Sequence, residues 1–184
     1  VIATEGRKTE PEYFSLLQGK AEVKLDCIRG RDGTSPQRVL QRLQDRLEEG
    51  DLDRNDEAWL VVDMDDWTDE QLRTLHRWAI EPPTGKGPVR GFALSNPKFE
   101  YWLLLHFEDG SGVTSARICS ERLRGHLANY DKGIDPAKFT LERICEAVAR
   151  GRKRDTPPCQ DWPRTIGNTT VYRLVGRIIG ADGV

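Results

Sequence analysis

Cysteine pairs, long apolar runs and an excess charge of either sign are all missing from this chain, and each absence removes a class of function. Cys27, Cys119, Cys145 and Cys159 are widely spaced, form no CxxC pair and have no histidine set beside them. Neither a zinc cage nor a disulfide framework is therefore expected, and the four read as ordinary thiols. No apolar stretch approaches the roughly 20 residues that a membrane-spanning helix needs. The first residues lack the basic, apolar, small-residue succession of a secretory signal, which gives the expectation of a cytoplasmic protein. There is no GxxxxGK[ST] phosphate loop, since Gly85-Lys86-Gly87 lies in a proline-rich turn, and no GxSxG elbow or Cys/His nucleophile pair. Finally, 28 basic residues against 30 acidic ones leave a net charge of -2, so no global basic field advertises nucleic-acid binding. Such binding has to be local. Arg38, Arg42 and Arg46 share one helix face, and Arg150, Arg152, Lys153 and Arg154 form a short run, although a solvated surface is the simpler account of both.

What is present is a chain of 184 residues, 37% hydrophobic, which fits one domain with a core of its own. A continuous apolar run, Ala58-Trp59-Leu60-Val61-Val62, has the character of a central strand covered on both faces. Further strands are expected near 1–4, 22–28 and 89–94. Helices are expected over 10–18, 36–49, 68–80, 97–107, 115–128, 136–150 and 169–179. Thr9 with Glu12, and Thr68 with Gln71, match capping boxes. Asn96 followed by Pro97 matches an N-cap and a first helical position. Strands separated by helices at this spacing predict an α/β fold, a mainly parallel central sheet flanked by helices. Residues 1–110 form the sheet core of a single domain, and 111–184 form a mostly helical second half.

In such sheets the binding crevice lies beyond the carboxyl ends of the strands. Three strand ends carry polar groups there: Glu5 after the first, Asp63, Asp65 and Asp66 after the third, and Asn96 after the fourth. Carboxylates gathered in this way repel one another, and a hard divalent cation relieves the repulsion. Asp63 and Asp65 are two apart, so in extended geometry they point to the same side and could share a metal. Asp66 reads either as a turn or cap residue or as a further metal contact. Glu100 lies in an otherwise apolar helix where an unpaired charge is costly, so it requires either a cationic partner or a place in the site. Asn96 and Glu100, four apart, would share a helix face. His106 reads as a satisfied or surface histidine. Thr9, Glu10 and Glu12 are accounted for by the capping box.

Several segments together resemble the RloB family: Glu5-Gly6, Thr9-Glu10 and Tyr13-Phe14, then Asp63-Met64-Asp65-Asp66, then Ser95-Asn96-Pro97-Lys98-Phe99-Glu100-Tyr101-Trp102-Leu103-Leu104-Leu105-His106-Phe107. The closing Asn168-Thr169-Thr170-Val171-Tyr172-Arg173-Leu174-Val175 is similar to the family's last segment. The resemblance implies a Toprim-like fold in which Glu5 and the pair Asp63 and Asp65 hold Mg²⁺ or Mn²⁺ for phosphodiester chemistry. It also implies a bacterial defence protein linked to abortive infection and encoded beside an AAA-type ATPase, with a nucleic acid, RNA such as tRNA or else DNA, as substrate. In that reading Glu5 acts as general base or acid. Lys98 and Lys132, with Arg29 or Arg31, are then the cations available to the nucleic-acid backbone. The alternative is a non-catalytic module whose acidic edge is structural and whose helical half docks on the ATPase.

Overall fold

The computed structural model describes residues 1–30, 35–64, 67–83, 85–128, 130, 131 and 133–181. In chain order its elements are β1 (Ile2–Thr4), α1 (Thr9–Gln18), β2 (Cys27–Ile28), α2 (Pro36–Leu47), β3 (Glu57–Asp63), α3 (Asp69–Ile80), β4 (Val89–Asn96), α4 (Phe99–Leu104), α5 (Ala116–His126), α6 (Leu141–Arg154), β5 (Asn168–Thr169) and α7 (Val171–Ile178). A single 3₁₀ turn, Pro136–Lys138, precedes α6. The sheet runs in the order β2-β1-β3-β4-β5, with the first four strands parallel and β5 antiparallel at the edge. The fold is the expected α/β arrangement, a mostly parallel sheet flanked by seven helices among the described residues.

The apolar run in β3 is continuous because both faces of that strand are covered. Successive side chains of a strand point to opposite faces. Trp59 and Val61 enter one core with Tyr13, Phe14 and Leu17 of α1 and with side chains of α4 to α7. Ala58, Leu60 and Val62 enter the other, against Val39, Leu40 and Leu43 of α2 and Leu72, Leu75 and Trp78 of α3. From β1 the chain winds to β2 on one side, then returns to lay β3 on the other side. The winding therefore changes direction between β1 and β3, and an open α/β sheet takes its ligand at the carboxyl end of such a switch point.

Local chemistry agrees with expectation at α3 and departs from it at α1 and α4. At α3 the Thr68 hydroxyl accepts from the Gln71 amide at 3.3 Å while Gln71 Oε1 accepts from the Thr68 amide at 2.9 Å, a complete capping box. At α1 the cap position is Lys8, with no side-chain cap bond, and Glu12 instead accepts the Ile134 amide at 2.9 Å. A long-range backbone donor has recruited the carboxylate that the local motif would have used. Asn96 is the last residue of β4 rather than a helix cap, because β4 keeps its pairing with β3 as far as Ser95 and with β5 at Asn96. The shared helix face expected for Asn96 and Glu100 therefore does not exist. The strand expected over 22–28 shortens to its last two residues, since Gln18 captures the Val23 carbonyl at 3.0 Å and the Leu25 amide at 2.5 Å.

The two basic runs serve the fold. Arg46 bonds Asp26 at 2.8 Å and Asp51 at 2.6 Å, and Arg42 donates to the Thr4 carbonyl at 2.9 Å. Arg150, Arg152 and Arg154 lie on α6, not in a loop, and donate to the carbonyls of Leu105, Ala181 and Gly167. No helix among the described residues is long and apolar enough to cross a membrane. The four cysteines are free thiols.

Of the two alternatives for His106, satisfied or at the surface, the structure shows the first. It is buried, with Nδ1 3.1 Å from the Trp102 carbonyl and Nε2 3.0 Å from the Tyr13 hydroxyl. A carbonyl can only accept, so Nδ1 carries the proton and Nε2 accepts from Tyr13. Burial, aided by the Arg150 and Arg143 guanidiniums, outweighs the two backbone carbonyls and pushes its pKa down to about 3. A depressed pKa means stability present above pH 6.5 and lost as pH falls toward 3, because the unfolded chain takes up the proton first. The neutral imidazole is expected to cost the fold on the order of 2 kcal/mol between pH 7 and pH 5. Urea unfolding at both pH values, in the wild type and in His106→Gln, measures it; the variant should show the smaller change.

Candidate active site

The crevice between β1 and β3 is built from backbone first. Just past β1, the Glu5 amide donates to the Val61 carbonyl at 3.1 Å, which continues the β1–β3 ladder and fixes Glu5 relative to Asp63. Glu5 is 8% exposed. Its Oε2 accepts from the Asp63 amide at 3.2 Å and from the Trp67 indole at 3.3 Å. Two glycines make room for this arrangement. A Cβ on Gly6 would sit 2.0 Å from Glu10 Oε2, and a Cβ on Gly30 would sit 2.0 Å from the Glu5 carbonyl oxygen. The Gly30 amide donates to the Gly6 carbonyl at 3.0 Å, so Gly30, next to the exposed Arg29, lies against the loop after β1.

Four carboxylates, Glu5, Glu10, Asp63 and Glu100, line one open pocket of about 400 Å³, and Arg7 and Lys8 form part of its wall. Glu10 was not anticipated as a site residue. It is 6% exposed and its Oε1 accepts the Gly6 amide at 3.0 Å. Burial pushes its carboxyl up, its own and the Gly6 amide oppose the shift, and the negative charges of Glu100 and Glu5 add to it, so the pKa rises to about 7. The signal in the sequence was the Gly6 to Glu10 spacing, which the capping-box interpretation obscured. Glu100 is half-buried and accepts from the Tyr130 hydroxyl at 3.4 Å, a neutral partner.

A carboxyl with a raised pKa contributes its stability fully below its unfolded value of 4.5 and loses it as pH rises through about 7. Glu10→Gln keeps an oxygen for the Gly6 amide and cannot ionise. The variant is expected to be more stable than wild type at pH 8 by on the order of 2 kcal/mol, with little difference at pH 4.5. Thermal unfolding across that range checks the sign.

Two other expected site residues are not among those that line the pocket. Asn96 is buried and donates through Nδ2 to the Pro163 and Arg164 carbonyls, both at 3.2 Å, which ties β4 to that loop. Lys98 donates to the Ser120 hydroxyl at 2.6 Å and joins α4 to α5. Asp65, Asp66, Lys132 and Arg31 fall outside the described residues.

The pocket supplies oxygen donors alone, the chemistry that suits a hard divalent cation, and such a cation needs only one or two direct carboxylates. Among the described residues no group of three or more His, Cys, Asp or Glu side chains is arranged to hold a metal. A family model described as RloB-like protein matches residues 1–178. No curated protein and no solved structure matches the chain.

Proposed function

Because the chain belongs to the RloB-like protein family, we propose that it is a metal-dependent nuclease-like effector of bacterial antiphage defence, cleaving phosphodiester bonds of RNA or DNA at the β1/β3 crevice. The observation that carries this reading is the convergence of Glu5, Glu10, Asp63 and Glu100 on one pocket with Arg7 and Lys8 in its wall. Acidic groups gathered beside cations suit a phosphate brought to a cation-binding floor. Glu5 and Asp63, with Asp65, are the residues that would hold Mg²⁺ or Mn²⁺. Such an ion, when bound, stabilises charge on the phosphate and activates water.

The protein's own groups divide the remaining work. Arg7 and Lys8 draw the backbone of the nucleic acid to the pocket mouth. Glu10, its carboxyl raised to about 7, is partly protonated at neutral pH and in that form can pass its proton to a leaving oxygen. Glu5 keeps its orientation through the Asp63 amide. The effector would act in the cytoplasm with an AAA-type ATPase as partner, which restrains or releases it.

A second reading is a non-catalytic module that docks on the ATPase, favoured by the bonds that Glu5 and Glu10 already make to the Asp63 and Gly6 amides. Incubating the chain with a mixed tRNA and DNA panel, with Mg²⁺ or Mn²⁺, alone and with the candidate ATPase, separates the two. Metal-dependent cleavage supports the nuclease and names its substrate. No cleavage in any arm, together with no Mn²⁺ binding, would leave the module.

A further inference from the structure

We infer that Trp67 is the positioning residue of the acidic site, holding the Glu5 carboxylate in one orientation through its indole N–H. The inference rests on the proposed nuclease reading for its catalytic consequence, and on geometry for the contact itself. Trp67 is half-buried and packs against the core cluster on the α2/α3 side of the sheet, the cluster that contains Leu60, Val62 and Leu72. Its backbone amide donates to the Met64 carbonyl at 3.2 Å, next to the end of β3. From there Nε1 reaches Glu5 Oε2 at 3.3 Å, the same oxygen that takes the Asp63 amide at 3.2 Å.

Two donors converging on one carboxylate oxygen fix the rotation of the whole group, because a single bond would leave it free to swing about the line joining donor and oxygen. One donor is backbone and belongs to the strand that also carries Asp63. The other belongs to a rigid ring whose place is set by core packing. The indole suits this task because it is donor only and cannot compete with Glu5 for a cation or a proton. Tryptophan at this position therefore serves two ends: its carbon surface anchors it and its single polar atom aims the carboxylate. Groups that orient a ligand or catalytic carboxylate in this way typically cost 10- to 100-fold in activity when removed.

The test removes the N–H and keeps an aromatic ring. In Trp67→Phe, kcat on the oligonucleotide that wild type cleaves is expected to fall ~10- to 100-fold with KM unchanged. Incorporating the benzothienyl analogue of tryptophan at position 67, which has the size of the indole and sulfur in place of N–H, should reproduce that loss at wild-type melting temperature. A second arm needs no catalysis. The Trp67 indole N–H signal in an NMR spectrum, assigned by its absence in Trp67→Phe, should shift and exchange faster with solvent in Glu5→Ala. An analogue-bearing protein with wild-type kcat, a loss confined to KM, or an indole signal unmoved in Glu5→Ala would each overturn the inference. Should wild type cleave nothing, the nuclease reading falls by itself, and the indole signal alone then decides whether Trp67 holds Glu5.

Discussion

Gly30→Ala is expected to destabilise the protein by about 3 kcal/mol, far more than one methyl group ordinarily costs, and to disturb the acidic pocket while doing so. The added Cβ would meet the Glu5 carbonyl oxygen at 2.0 Å, the Glu5 carbonyl carbon at 2.9 Å and the Gly6 carbonyl oxygen at 3.0 Å. These are backbone atoms, so no side-chain rotation relieves the contact. The loop after β2 or the loop after β1 has to move, and either shift breaks the Gly30 amide bond to the Gly6 carbonyl. Since Glu5 and Gly6 line the pocket, the same movement displaces the carboxylates there. Gly125→Ala is the matched control. That glycine is exposed within α5 and a Cβ there meets nothing within 4 Å. Gly125 lies in the last turn of α5, where alanine keeps at most the ~0.5–1 kcal/mol advantage over glycine that it has in a helix interior, so the two Gly→Ala changes should move the urea midpoint in opposite directions.

The parts of this fold that could be read from sequence are those set by neighbours in the chain. The five apolar residues before Asp63 describe a strand covered on both faces, and the Thr68 to Gln71 spacing describes a cap whose four partner atoms all lie within one turn. The parts that could not be read are set by distant partners. β5 is two residues long and exists because Ser95 and Asn96 offer an edge to Thr169 and Asn168. Glu12 leaves its cap for an amide 122 residues away. The site divides in the same way. Glu5 and Asp63 were legible because the end of a buried strand has a fixed place in an α/β sheet, whereas Glu10 enters through a side-chain bond to Gly6 that helix propensity does not encode. Asn96 and Lys98 belong to the most distinctive run of the sequence, yet the geometry assigns them to joining β4 and α4 to their surroundings. A distinctive motif can thus record packing as much as chemistry.

If the protein is the nuclease proposed above, Asp63→Asn is expected to reduce its metal-dependent cleavage by ~100-fold or more, the largest effect on activity anticipated for a single side chain here. Asparagine has the shape of aspartate, and the Asp63 backbone amide that donates to Glu5 is untouched, so the orientation of Glu5 should survive. What disappears is one negative charge from a pocket shared with Glu5, Glu10 and Glu100. Removing that charge also lessens the repulsion acting on its neighbours, so affinity for a divalent cation falls even where the pocket keeps its form. A charge-dependent role makes a prediction that a packing role does not: raising Mn²⁺ should recover part of the lost rate in Asp63→Asn, because the defect lies in occupancy. Single-turnover cleavage at rising Mn²⁺, with circular dichroism to verify that the variant is folded, measures this. A folded Asp63→Asn protein that cleaves at the wild-type rate would remove Asp63 from the site and, with it, the reading of the β1/β3 crevice as the place where phosphodiester bonds are broken.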